Sequence, residues 1–465
     1  MNLVGFSGRF GLMKKLLFKN AQVVSSQGID EKDVVVSGGE ILKVCEEGEG
    51  QDLIESVLDP SEEYETIDCS VKGKYLIPGV VDAHVHFREP GLTHKGDFAS
   101  ESEAALAGGV TTIFDMPNTK PATITYEAFA EKVGLAKVGC KCNFKLFFGA
   151  TDEASLVELK KVLADEELVR FLAGIKVYMG HSTGGLGASG VLEMIMVDEE
   201  LREVGGKVLP LVVHAEDQAC LDEHEAKYDP AKPETHGEAR PVDCCVKAVK
   251  EVCDLARKYD RPVHVAHVSS REELDVVAEF RDDVVEVGGA KVRLVTCEVS
   301  PRHLFLNDSM YDELGMKLKV NPPVRSKEEA QKLWEAVLAG EIDIVATDHS
   351  PHTLEEKDGK GSGGMAPSGM PDVQTLLPLL LNEVVREKFD MKKLVEMCCE
   401  RPAELFGLEK VGKIEDGFRA DLVLVNLREE LVIGELKYKC GWSCYEGWKI
   451  HGGIEAVVLG GEILR

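Results

Sequence analysis

Six side chains set into apolar runs carry the chemistry of this 465-residue chain. His84 and His86 follow LIPGVVDA two residues apart, and alternation along a strand puts both imidazoles on one face. Lys176 interrupts AGIKVYMG, where an unpaired ammonium is costly to bury. His214 ends the run VLPLVVHAE, His267 ends PVHVAHVSS, and Asp348 ends EIDIVATDHS. Imidazole and carboxylate donors suit zinc or a related transition metal. Five or six donors exceed what one tetrahedral zinc needs, so the set favours a two-metal site. A lone strand-end histidine reads as a structural hydrogen-bonding group. A same-face pair followed by ligand types at successive strand ends does not.

Such a set needs elements that bring distant segments to one place. From Leu76 to about Leu408, short apolar runs alternate with helical patterns. GVTTIFDM precedes YEAFAEKVGLAKV, CNFKLFFGA precedes SLVELKKVLAD, and PVHVAHVS precedes REELDVVAEF. Strand-then-helix repetition predicts a parallel sheet with crossover helices, and seven or eight units favour a closed (β/α)8 TIM-like barrel. In such barrels the chemistry sits at the C-terminal ends of the strands, where these six residues fall. The ends of the chain read differently. LLFKNAQVV, DVVVSGGEILKV and GKYLIPG near the start, and KIEDGFRADLVLVNL and AVVLGGEIL near the end, carry strand alternation punctuated by Gly. They predict a small β-sandwich domain formed from both termini. The expected division is 12–77 and 411–465 for the β domain and 78–410 for the catalytic barrel. The acidic stretch Glu46 to Glu65 reads as a solvated surface loop.

Composition removes several classes of function. Lys and Arg total 54 against 82 Asp and Glu, a net charge of −28. This argues against nucleic acid or an anionic membrane as partner. It does not argue against a small anionic substrate, which needs only one or two local cations. No window reaches about 18 apolar residues, so no membrane span is expected. The N-terminus lacks a continuous apolar core with a small-residue cleavage site. Thirteen scattered cysteines, with no CxxC pair, argue against a disulfide scaffold or a structural zinc site. They fit reduced thiols in a cytoplasmic protein.

DAHVHFREPGLTHKGDF, GGVTTIFDMPNTKP and ATDHSPHTLEEK together resemble the dihydroorotases of the amidohydrolase superfamily. KVNPPVR, the GxIxxGxxADLVL run from Gly412 to Leu424 and KCGWSCYEGW extend the resemblance over nearly the whole chain. It implies reversible hydrolysis of (S)-dihydroorotate to N-carbamoyl-L-aspartate in de novo pyrimidine biosynthesis, with a metal-bridged hydroxide as nucleophile. It also implies roles. His84 and His86 would bind one Zn2+, and His214 and His267 a second. Lys176, as an N-carboxylated lysine, would bridge the two, which places the chain with the Lys-containing form. Asp348 would ligate the first metal and act as general base and acid. Arg88, Asn118, Asn321, His352 and the backbone at Ala366 would bind substrate, the last from a Gly-rich segment, Lys357 to Asp372, that is a mobile cover or a plain surface loop. A homodimer and association with aspartate carbamoyltransferase belong to the same resemblance. Two rivals stand beside it: a sister hydrolase acting on allantoin or another cyclic amide, and a non-catalytic scaffold. Arg88 and the MPNT run speak against the first, and the complete ligand set against the second.

Overall fold

The computed structural model describes residues 15–57, 63–180, 190–230, 232–359 and 365–464. Eight parallel strands form a barrel: Val80–Val85, Val110–Asp115, Asn143–Gly149, Leu172–Tyr178, Leu211–His214, Val263–Val265, Val295–Val299 and Ile344–Val345. Each pairs with the next in chain order. The ring closes where the first strand meets the segment after the eighth, through a parallel bridge between Val85 and His349 and a hydrogen bond from the His86 amide to the His349 carbonyl, 2.7 Å. All eight strands are buried along their length, as expected when helices cover the outer face of a parallel sheet.

The crossover helices follow local sequence rules. Phe98–Ala107 starts at Asp97, whose carboxylate caps the Ser100 amide in a reciprocal capping box. Val242–Lys258 buries Cys245, Ala248, Val249, Val252 and Ala256, a stripe at three- and four-residue spacing. The barrel interior is filled rather than hollow. Phe114, Phe147, Val212, Ala266 and Ile344 pack together with Phe406, which meets the Phe114 ring edge-on at 4.8 Å.

The two ends of the chain build one eight-stranded sheet. Leu422–Val432 pairs antiparallel with Lys74–Pro78 and with Lys449–Leu459, so the first and last segments share a ladder. The acidic stretch departs from the expected loop. Glu49–Val57 is a helix that buries Ile54 against Leu17 and Val35, and Tyr64–Asp68 is a strand beside Lys15–Val24. Residues 58–62, within the stretch, lie outside the described residues. The charged side chains hid one apolar contact that was enough to seat a helix. The thiols also need correction: eleven cysteines are free, but Cys220 and Cys244 form a disulfide. Their spacing of 24 residues carried no sequence signal, because the fold brings two helix starts together. No helix among the described residues is long and apolar enough to cross a membrane.

Candidate metal centre and active site

The barrel mouth gathers the strand-end residues. His84, His86, Arg88, Asn118, Tyr178, His214, His267, Asn321 and Asp348 line one pocket, closed at the side by Ser350, Ser368 and Gly369. Left-handed backbone recurs there. Arg88, His267 and Asp348 adopt positive φ (72°, 33° and 49°), although none is glycine. Such conformations persist where surrounding contacts over-determine them.

His84, His86 and Asp348 form one ligand cluster, with one donor atom from each within 4.8 Å of the others. Asp348 Oδ1 lies 2.9 Å from His86 Nε2 and 3.4 Å from His84 Nε2. The outer nitrogen of each ring is held. His86 Nδ1 meets Asn118 Oδ1 at 2.6 Å, and His84 Nδ1 meets the Glu298 carboxylate. Holding one ring nitrogen fixes the tautomer and aims the other at the centre. On the opposite side His214 Nδ1 and His267 Nε2 approach to 2.9 Å. The other nitrogen of His214 faces Glu216 at 2.7 Å, and Arg240 grips that carboxylate, with Nε 2.9 Å from Oε1.

Lys176 is fully buried, and its Nζ has no hydrogen-bond partner. His267 Nδ1 and Tyr178 Oη are likewise buried and unpartnered. A buried amine without a partner is costly, and burial pushes the Lys176 ammonium down to about 8. Burial also depresses the imidazoles of His86 (to about 3), His214 and His267, so they are neutral near pH 7, as metal ligands must be. For Asp348, burial alone would raise the carboxyl. The Arg302 guanidinium and the two imidazoles outweigh it and hold the group well below the usual carboxylate range. The donor set and its orphaned atoms therefore fit bound metal.

Sequence reasoning passed over the residues that hold this set. Glu298 spans His84 and His264 and accepts the His267 amide at 3.2 Å. Arg302 places its guanidinium 3.1 Å from Asp348 Oδ2, and also binds Asp372 and the carbonyls of Thr347, Asp348 and Met370. Asp82, buried and raised to about 7, accepts from the Thr347 hydroxyl and amide and so fixes the strand before Asp348. Buried Glu and Arg inside apolar runs, CEVSPRHL in particular, were the signal available.

The substrate-side residues divide. Arg88, Asn118 and Asn321 line the pocket. Arg88 is 2% exposed, bonded to the Pro351 carbonyl at 3.1 Å, and lies 3.1 Å from His352 Nε2. Asn118 spends its oxygen on His86, and Asn321 accepts from His236 at 2.9 Å. His352 stands behind Arg88. The Ala366 carbonyl accepts from Lys319 Nζ at 2.8 Å, while Ser368 and Gly369 reach the pocket wall. His349 points away as strand alternation required, from Glu101 at 2.9 Å to the Asp372 amide. His181 and residues 360–364 of the Gly-rich segment lie outside the described residues.

A parallel barrel that converges four imidazoles, a buried lysine and a carboxylate at its strand ends defines a metal-dependent hydrolase. The chain belongs to the amidohydrolase family, whose family model matches residues 75–464. Within it the chain belongs with the dihydroorotases. It is 34% identical over 418 residues to the dihydroorotase of Halobacterium salinarum, covering 90% of this chain and 92% of that one. It is 35% identical over 391 residues to the multifunctional protein CAD of Squalus acanthias, 83% of this chain but 15% of that much longer protein. Among solved structures, an L-hydantoinase (dihydropyrimidinase) from Arthrobacter aurescens superposes with a TM-score of 0.83 at 28% identity, covering 97% of this chain and 96% of that one.

Proposed function

We propose that the chain is a hydrolase of cyclic amides that interconverts (S)-dihydroorotate and N-carbamoyl-L-aspartate, the ring-closing step of pyrimidine synthesis. The observation that carries the substrate choice is Arg88: a buried guanidinium lining the same pocket as the metal-ligand residues, where the other lining side chains are imidazoles, amides, hydroxyls and the Asp348 carboxylate. Burial lowers it only to about 10, so it stays cationic at neutral pH. A ring bearing a carboxylate satisfies it bidentately, whereas an uncharged cyclic amide leaves it unpaired.

His84, His86, His214, His267, Asp348 and Lys176 would hold two zinc ions, with Lys176 carrying a carboxyl group on Nζ. That modification converts an orphaned buried amine into an oxygen ligand and removes its desolvation cost. When bound, the metal supplies hydroxide near neutral pH and polarises the carbonyl under attack. The rest falls to the protein. Arg88, with Asn118 and Asn321, orients the ring by its carboxylate and amides. Asp348, kept ionised by Arg302, takes the proton of the attacking water and delivers it to the leaving ring nitrogen. Glu298, Asn118 and Glu216 keep the imidazoles in their ligating tautomers. The same reading takes 78–410 as the catalytic unit, with 12–77 and 411–465 as its accessory sheet. It also includes a cytoplasmic homodimer and association with an aspartate carbamoyltransferase.

Replacing Arg88 with Met should raise KM for dihydroorotate by roughly thirtyfold or more, the effect of leaving a charged partner unpaired. Steady-state kinetics on metal-loaded protein would read it, and an unchanged KM would exclude Arg88 as the carboxylate site.

A further inference from the structure

Lys95 has no place in the metal site, yet it is nearly fully buried beside the substrate end of the pocket. Its Nζ lies 3.1 Å from His352 Nδ1 and 3.1 Å from Glu356 Oε1. An ammonium can only donate, so in this contact His352 Nδ1 is the acceptor. A neutral imidazole that accepts at Nδ1 carries its proton on Nε2.

That tautomer has a rival in the same ring. Glu356 Oε2 lies 3.3 Å from His352 Nδ1 and would favour a proton there. On the far side, Nε2 lies 3.1 Å from Arg88 Nη2, which asks for a lone pair, and 3.2 Å from the Ser368 carbonyl, which asks for a proton. Lys95 and Ser368 therefore favour one tautomer, and Glu356 and Arg88 the other. His352 is also held through its backbone and packed closely on one side. Trp442 Nε1 donates to the His352 carbonyl at 2.7 Å. Gly369 packs so closely that an added Cβ would lie 3.1 Å from His352 Cδ2.

We propose that Lys95 is a positioning residue for substrate recognition, holding His352 as the Nε2–H tautomer. When a substrate carboxylate draws the Arg88 guanidinium onto itself, Nε2 then presents a donor to the same pocket wall instead of a repelling lone pair. Glu356 neutralises Lys95 and also caps the helix Leu354–Lys357 through the Thr353 amide at 3.0 Å, so it holds Lys95 in place. This deepens the dihydroorotate reading and rests on it.

The test compares Lys95→Met and Lys95→Gln in the metal-loaded full chain. Gln keeps a donor for Nδ1 without the charge, and Met removes it. Lys95→Met is expected to raise KM for dihydroorotate roughly tenfold to a hundredfold with kcat within about threefold. Lys95→Gln should recover most of the loss. In a His352→Gln background, Lys95→Met should add no more than about twofold, because its effect runs through that ring. A Lys95→Met enzyme with unchanged KM, a loss confined to kcat, or an undiminished effect in the His352→Gln background would overturn the proposal. If Lys95→Met does not fold, a Lys95→Gln enzyme whose KM matches wild type supports it, and one that has lost dihydroorotate affinity overturns it. Wild-type turnover is the separate control: absent turnover of dihydroorotate defeats the functional reading, whereas a turning-over wild type with an indifferent Lys95 defeats only this one.

Discussion

Replacing Asp348 with Asn is expected to cost about a hundredfold to ten-thousandfold in turnover of dihydroorotate, with the chain still folded. The carboxylate touches both the His84–His86 pair and a buried cation, Arg302. Asn matches it in size and keeps an oxygen facing His86, but it cannot take up and return a proton. The fold should tolerate the change. Arg302 loses its charged partner at 3.1 Å but keeps Asp372 at 2.7 Å and three backbone carbonyls, so its guanidinium is not left unpaired. The expected stability loss is about 1–2 kcal/mol. Single-turnover kinetics beside a thermal melt and a metal analysis separate the two effects. A folded, metal-loaded Asp348→Asn protein turning over at near the wild-type rate would remove Asp348 from the chemistry.

Lys176 gives the second large effect, and its sign on stability runs the other way. The Nζ is buried with no hydrogen-bond partner, so without metal or modification it is a liability to the fold. Lys176→Met replaces it with an apolar chain of similar volume, and the metal-free variant should melt no lower than the metal-free wild type. Activity should nevertheless fall at least about a hundredfold if, as proposed, Lys176 supplies a metal ligand worth several kcal/mol of charge stabilisation. Metal content per chain should fall with it. Intact mass measured under native conditions with bicarbonate should show one added CO2 on the wild type and none on Lys176→Met. Full activity in the variant would show that the lysine is structural.

Much of this architecture was legible because it is periodic. The HxH pair, the lone lysine in AGIKVYMG and the residues ending the later strands are interruptions of apolar runs, and parallel strands buried on both faces make such interruptions conspicuous. That both ends join in one β domain was legible for the same reason, from strand alternation at each terminus, although the expected sandwich is a single eight-stranded sheet. What escaped depends on tertiary distance. Glu298 and Arg302 sit in CEVSPRHL as ordinary charged residues, and only the closed barrel sets them against His84 and Asp348. Lys95 and Glu356 are 261 residues apart in sequence yet flank one ring. The helix Glu49–Val57 was hidden by its charges, because its apolar contacts are few, Ile54 with Leu53 against Leu17 and Val35. The Cys220–Cys244 bridge depends on how the starts of two crossover helices meet, which no spacing rule foretells.

Metal-loaded protein offered dihydroorotate, allantoin and dihydrouracil in parallel tests the central claim most directly. Ring opening of dihydroorotate to N-carbamoyl-L-aspartate, with ring closure in reverse and little or no turnover of the two uncharged rings, is the result the buried Arg88 requires. Opening of allantoin or dihydrouracil with dihydroorotate left intact would contradict it.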